Sequence, residues 1–318
     1  MDYLTLAGGL IYLLMGGDLL VRGSVSLARR WHLSPMLVGV TIVAIGTSAP
    51  ELFVSVQAAL SDHPGIALGN IVGSNISNVL FVAGVVALIH PLAVGQERKR
   101  RDTVAMVASS IVLVGTAWNG RITRGEGLIL LVGLAAFLVA KVFEVRGQAP
   151  TSRPDAEPPD FVLGLPSGDF MIALFIVVGI VWLPLGAKLL VDSAAAIAGQ
   201  IGISEEVIGL TVIALGTSLP ELAASAIAAR RDQMGVALGN LIGSNVLNIF
   251  AIMGAAAFLS PRPIPVAASF LRFDLPVMIG ATLVTAWFVL ARRPVGRKMG
   301  ALFLTTYLTY VAALVLLS

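Results

Sequence analysis

The sequence predicts an all-α polytopic membrane protein with ten transmembrane helices arranged as two inverted five-helix repeats. Three observations carry the prediction. Hydrophobic residues make up 57% of the 318 positions and charged residues 12%, where a soluble domain has about 45–50% and about 25%. Lysine and arginine gather in alternate loops between apolar runs, and blocks of identical residues recur at a fixed offset of 170.

A helix needs about 20 mostly apolar residues to cross a hydrocarbon core roughly 30 Å thick. Runs of this kind fall at 4–28, 34–60, 65–90, 103–118, 125–145, 169–199, 205–229, 235–259, 274–291 and 299–317, the fourth being the weakest. The opening Met1, Asp2, Tyr3 and Leu4 places no basic residue ahead of the first run, so a retained span is expected there and not a cleaved signal peptide. One set of alternate loops collects Arg29, Arg30, Arg98, Lys99, Arg100, Arg101, Lys141, Arg146, Arg153, Arg230, Arg231, Arg292, Arg293, Arg297 and Lys298. The other set holds Arg121, Arg124, Arg262 and Arg272. Fifteen against four is a positive-inside asymmetry, which puts the richer set in the cytoplasm and both termini outside a plasma (inner) membrane. Residues 147–168, with five prolines and mixed charge, read as a cytoplasmic linker. They divide the chain into a first repeat, 1–146, and a second, 169–318.

Several function classes drop out. The absence of cysteine removes disulfides and thiolate metal sites. Gly-Lys never occurs as a dipeptide, so no Walker A loop is present and ATP is not expected as a partner. Basic loops that orient a membrane protein are no nucleic-acid footprint, so the expected partners are small inorganic cations and the lipid bilayer, with no cofactor.

The repeat is specific. Gly46, Thr47, Ser48, Pro50, Glu51 and Leu52 recur as Gly216, Thr217, Ser218, Pro220, Glu221 and Leu222. Gly69, Asn70, Gly73, Ser74, Asn75 and Asn78 recur as Gly239, Asn240, Gly243, Ser244, Asn245 and Asn248. The two motif regions span 38–80 and 208–250. Five spans per half is an odd number, so the second copy enters the membrane from the opposite side. Inverted repeats with interrupted helices at matching positions are the build of secondary transporters, with the site near the midplane.

Glu51 and Glu221 each fall near the middle of a predicted span. A carboxylate at that depth costs several kcal/mol unless it is paired or hydrated, so a symmetric pair marks a functional site. Pro50 and Pro220 lack an N–H and are expected to kink their helices, freeing the carbonyls of Gly46 and Gly216 and opening the turns at Thr47 and Thr217. Carbonyl, carboxylate and hydroxyl oxygens are hard ligands suited to Na⁺ or Ca²⁺. In the second block Ser74 and Asn78, like Ser244 and Asn248, lie four apart on one helical face. The glycines there read as helix-packing residues. Asn70, Asn75, Asn240 and Asn245 read as hydrogen-bonding between helices.

These two blocks resemble the paired alpha repeats of the cation/calcium exchanger superfamily, above all its prokaryotic sodium/calcium exchangers, and the resemblance spans the whole chain. It implies a Ca²⁺ site made by Glu51, Glu221 and the backbone carbonyls of Thr47 and Thr217. It also implies Na⁺ sites drawing on Ala44, Ser48, Ser74 and Asn78 in one half and Ala214, Ser218, Ser244 and Asn248 in the other. The implied activity is Na⁺/Ca²⁺ antiport by alternating access, with the first and sixth helices sliding across the rest and calcium extruded. The chain is then no enzyme. Position 248 carries Asn where some relatives carry Asp, so the site holds two formal negative charges, enough for one Ca²⁺ or two Na⁺. Ca²⁺/H⁺ antiport on the same fold is the alternative, because a buried glutamate pair also binds protons.

Two further expectations concern charges and rings. Asp18 and Arg22, and Lys188 and Asp192, are i,i+4 pairs; if the first and sixth helices run antiparallel, cross-pairs Asp18–Lys188 or Arg22–Asp192 would form instead. His32, His63 and His90 fall at span ends, and Trp and Tyr are expected mostly there as an interfacial belt.

Overall fold

The computed structural model describes residues 2–61, 64–92, 98–146, 164–200 and 214–317. The helices are α1 (Asp2–Arg30), α2 (Pro35–Thr47), α3 (Ala49–Leu60), α4 (Pro64–Ile89), α5 (Arg98–Ala117) and α6 (Arg124–Arg146). They continue with α7 (Asp169–Gln200), α8 (Ala214–Gly216), α9 (Leu219–Arg230), α10 (Met234–Leu259), α11 (Phe270–Leu290) and α12 (Arg297–Leu317). The fold is all-α and polytopic. Seven of these helices are long and apolar enough to cross a membrane, and the bent pair α2–α3 makes an eighth. The fourth predicted span begins earlier than expected, at Arg98, because the basic run forms the first turn of α5. Residues 205–213 of the seventh predicted span, the linker up to 163 and His63 lie outside the described residues.

Loop contacts follow the two charge-defined sets. Arg121 and Ile122 pair antiparallel with Pro265 and Ile264, and Ser260 Oγ donates to the carbonyl of Ala59 at 3.1 Å. In the basic-rich set Leu92 bridges Val295, His90 lies 3.4 Å from Asp232 and Arg30 pairs with Asp169. No contact in this group joins one set to the other.

Helices α1 and α7 form an antiparallel unit. Gly9 meets Leu190, Gly16 meets Leu183 and Gly23 meets Ile176, while Gly179 and Gly186 of α7 meet Leu20 and Leu13. The glycines recur every seventh residue, and each pair of residue numbers adds to 199. A Cβ at Gly186 would lie 2.5 Å from the backbone nitrogen of Leu13, so the helix backbones touch with no side chain between them. Close approach of this kind is how helices associate where lipid removes the hydrophobic driving force.

That register decides the charged pairs. Asp18 stands level with residue 181, seven residues from Lys188, which is about 10 Å at 1.5 Å per residue. Arg22 and Asp192 are further apart still. The cross-pairs therefore do not form. Arg22 bonds Asp18 at 3.3 Å and Lys188 bonds Asp192 at 2.8 Å, both i,i+4. Asp18 finds a second partner elsewhere, accepting from Arg231 Nε at 2.7 Å. Arg22 also bonds the carbonyl of Gly164 and lies over the ring of Phe175 at 5.0 Å.

The ring expectation fails for half of the residues. Tyr12 and Trp182 meet edge to face at 5.1 Å in the middle of the α1–α7 contact. Tyr307 and Tyr310 are buried, and Tyr310 donates to Asp274 Oδ1 at 2.8 Å. Rings at those depths fill interhelical space. Elsewhere in the fold, Lys141 is buried with Asp102 and Glu144, bonding Glu144 at 2.8 Å, so this residue is an internal ion partner and not a free loop charge.

Candidate cation site

Both conserved-offset motifs break their helices at the same place. Helix α2 stops at Thr47, Ser48 takes a non-helical conformation (φ −85°, ψ 7°), and α3 starts at Ala49, bent by 48°. In the second half α8 stops at Gly216, Ser218 has φ −84° and ψ 0°, and α9 starts at Leu219. Each proline thus stands second in a new helix, where its missing N–H leaves no bond unmade, and does not kink a continuous one. The break lies at Ser48, and at Thr217–Ser218. Glu51 and Glu221 stand third in those helices, in the first turn at the positive end of the backbone dipole.

Both glutamates are fully buried. Neither forms an ion pair among the described residues. Glu221 Oε1 accepts from Ser48 Oγ at 2.9 Å and from Ser244 Oγ at 3.4 Å. Glu221 Oε2 and both carboxylate oxygens of Glu51 receive no hydrogen bond among the described residues. A buried carboxylate without a donor or counter-ion is costly, so the pair defines a strongly electronegative centre. Among the described residues no cluster of three or more His, Asp or Glu exists. Any cation held here is therefore completed by neutral oxygens.

The structure gathers those oxygens from both halves. Ser48 of the first half belongs with Glu221 and Ser244 of the second, and Thr47 Oγ1 lies 3.5 Å from Ser244 Oγ. The hydroxyls of Ser74 and Ser218 are buried and without a hydrogen-bond partner among the described residues. Ser48 and Thr47 of the first half meet side chains of the second because α10 packs its Gly239 and Gly243 directly on the α2 backbone, with a Cβ on either falling 2.5 Å from a carbonyl oxygen. Ala44 is buried, and its carbonyl accepts from Ser48 N at 3.0 Å and Thr47 Oγ1 at 3.4 Å. Ala214 opens α8. Asn248 donates its Nδ2 to Asn75 Oδ1 at 3.1 Å, which leaves its own buried Oδ1 as a free acceptor. Both polar atoms of Asn78 are buried and unpartnered.

Two features escaped sequence reasoning. Asn70 Nδ2 donates to Ser55 Oγ at 2.9 Å and to the carbonyl of Glu51 at 3.4 Å. Asn240 Nδ2 donates to Ser225 Oγ and to the carbonyl of Glu221 at the same two distances. Asn70 and Asn240 bond between helices as expected, whereas Asn245 Nδ2 bonds within its own helix to the carbonyl of Leu241 at 2.7 Å; the targets Ser55 and Ser225 also recur at offset 170, one helical turn past each glutamate. The second feature has no sequence signal: π-helical turns at Ser77–Val82 and Asn248–Met253 place Asn78 and Asn248, a distortion frequent at functional sites. Beside the centre a cleft of about 520 Å³ opens, lined by Pro50, Phe53, Pro184, Lys188, Asp192 and Thr217 among others.

The family model described as sodium/calcium exchanger protein matches residues 1–143 and 171–316. The chain is 33% identical over 314 residues to the inner membrane protein YrbG of Escherichia coli (strain K12), covering 98% of this chain and 95% of that one. It is 32% identical to the sodium/calcium exchanger MaX1 of Methanosarcina acetivorans, covering 98% of each. Among solved structures it is similar to the sodium-calcium exchanger NCX_Mj soaked with zero Na⁺ and Ca²⁺, with a TM-score of 0.82, 30% identity and 98% of each chain covered. By the extent of these matches the chain belongs to the sodium/calcium exchanger family, multi-pass membrane exchangers of small cations and not enzymes.

Proposed function

We propose that this chain exchanges Na⁺ for Ca²⁺ by alternating access at the centre between the two broken helices, and that it works to extrude calcium. The observation that carries the reading is the pair of fully buried glutamates that have, among the described residues, three unpartnered carboxylate oxygens and no basic residue paired to them. Two formal negative charges balance one Ca²⁺ or two Na⁺. Filling the centre with both ions at once leaves net positive charge in a low-dielectric surrounding, which makes the ions competitors and couples their movements. Ca²⁺ takes Glu51, Glu221 and the carbonyls of Thr47 and Thr217 in this reading. Na⁺ uses the neutral oxygens around Ala44, Ser48, Ser74, Asn78, Ala214, Ser218, Ser244 and Asn248.

The ten predicted spans supply the scaffold, as repeats 1–146 and 169–318 joined by the linker 147–168, with the basic-rich loops in the cytoplasm and both termini outside the inner membrane. In that orientation the 520 Å³ cleft lies on the extracytoplasmic side, because Lys188 and Asp192 on its wall stand toward the end of α7 that meets Asp2, and its wall includes Pro50 and Thr217, chain neighbours of the buried Glu51 and Ser218.

Radioactive calcium uptake into proteoliposomes loaded with Na⁺, K⁺ or acid tests the reading. Uptake driven by internal Na⁺, and lost in Glu51→Gln and in Glu221→Gln, is expected. Uptake driven by the acid load in place of Na⁺ would replace it with Ca²⁺/H⁺ exchange, and no flux under any gradient would remove the substrate.

A further inference from the structure

The two halves agree where they are braced and differ where they switch. Asn70 and Asn240 hold Ser55 and Ser225, and the carbonyls of Glu51 and Glu221, at identical distances. The other end of each asparagine is not treated alike. Asn240 Oδ1 accepts from Thr47 Oγ1 at 3.0 Å, across the halves, and Thr47 is fully buried. The counterpart of Thr47 at offset 170 is Thr217, which is half-buried on the wall of the cleft and makes no such bond to Asn70. The asymmetry extends to neighbouring hydroxyls, since Ser48 donates to Glu221 while Ser218 has no partner among the described residues.

We infer that Asn240 and Asn70 are alternating latches for Thr47 and Thr217: the Thr47–Asn240 bond holds the cleft-open arrangement, and a Thr217–Asn70 bond replaces it when the cleft closes and the opposite face opens. This rests on the alternating-access reading above. The chemistry is balanced, because one hydroxyl-to-amide bond is exchanged for an identical one. The two arrangements then differ little in energy, as an exchanger requires if it is to visit both. Thr47 and Thr217 also carry the carbonyls proposed to meet Ca²⁺, so each latch fixes the helix break whose carbonyl faces the ion. Asn70 and Asn240 act through those threonines and are positioning residues.

The chain contains no cysteine, so Val54→Cys on the cleft wall accepts a single trifluoromethyl tag for ¹⁹F NMR. The cleft-open resonance is identified by broadening with a soluble gadolinium chelate, in buffer free of Na⁺ and Ca²⁺. One net hydrogen bond corresponds to about a three- to tenfold change in a population ratio. Thr47→Val should lower the open-to-closed ratio by about that factor, and Thr217→Val should raise it by a similar one. Thr47→Ser and Thr217→Ser, which keep the hydroxyl, should restore the parent ratio. If a valine variant does not fold, Asn240→Leu and Asn70→Leu remove the same bonds from the other end. A ratio moved in the same direction by both halves, or by neither, overturns the inference. Failure of sodium-driven calcium uptake in the parent chain would instead remove the proposed function, and the NMR readout does not depend on it.

Discussion

Gly186→Ala tests whether α1 and α7 are one body. The added Cβ would lie 2.5 Å from the nitrogen of Leu13, 2.8 Å from the carbonyl oxygen of Gly9 and 3.0 Å from the Cα of Leu13. All three are backbone atoms and none can swing aside. Ordinary contact begins near 3.4 Å, so the helices must part by close to an ångström at this point. A gap of 0.5–1 Å forfeits roughly a quarter to a half of each dispersion well, and the loss spreads to the contacts at Gly16, Leu20 and Gly179 on the same seam. Gly8→Ala on α1 is the internal control, because nothing lies within 4 Å of its Cβ. Both substitutions gain about the same helix propensity, so the difference between them is the overpacking penalty, about 1–3 kcal/mol. Thermal unfolding of the purified protein in detergent, followed by the monodisperse fraction, gives that difference. Calcium uptake should fall with Gly186→Ala and hold with Gly8→Ala. Equal midpoints for the two variants would refute the backbone-contact seam.

Three further outcomes are expected. Lys141→Met leaves the buried carboxylates of Asp102 and Glu144 without their cation and should cost about 3–5 kcal/mol; adding Asp102→Asn and Glu144→Gln should return most of that in the same unfolding assay. Asp18→Asn removes ion pairs to Arg22 and Arg231 whose members are about a quarter to a third exposed, so its effect on unfolding should stay within about 1–2 kcal/mol, and a larger loss would show that Asp18 holds α1 to the α9–α10 turn more firmly than its exposure allows. Asn240→Ala strips partners from Thr47, Ser225 and the Glu221 carbonyl, an expected loss of about 1–3 kcal/mol, with calcium affinity by isothermal titration weakened more than by Asn75→Ala.

Sequence alone determined the polytopic helical class, the positions of most helices among the described residues, the two interrupted segments and the pair of glutamates. The reason is local: apolar length, proline and a buried charge each act within one segment, and the offset of 170 doubles every signal. It also separated the loops into two sets that the contacts Leu92–Val295 and Ile122–Ile264 respect. Tertiary structure decided what depends on how segments cross. Ser48 turned out to serve Glu221, because α2 lies on the glycines of α10. Asp18 took Arg231, because the glycine seam sets Lys188 seven residues out of register. The bond from Thr47 to Asn240, absent between Thr217 and Asn70, is invisible in a sequence whose halves are identical at those positions. Identical residues are braced alike by the repeat, but packing leaves Thr47 fully buried and Thr217 half-buried, so their hydroxyls do not meet the same partners.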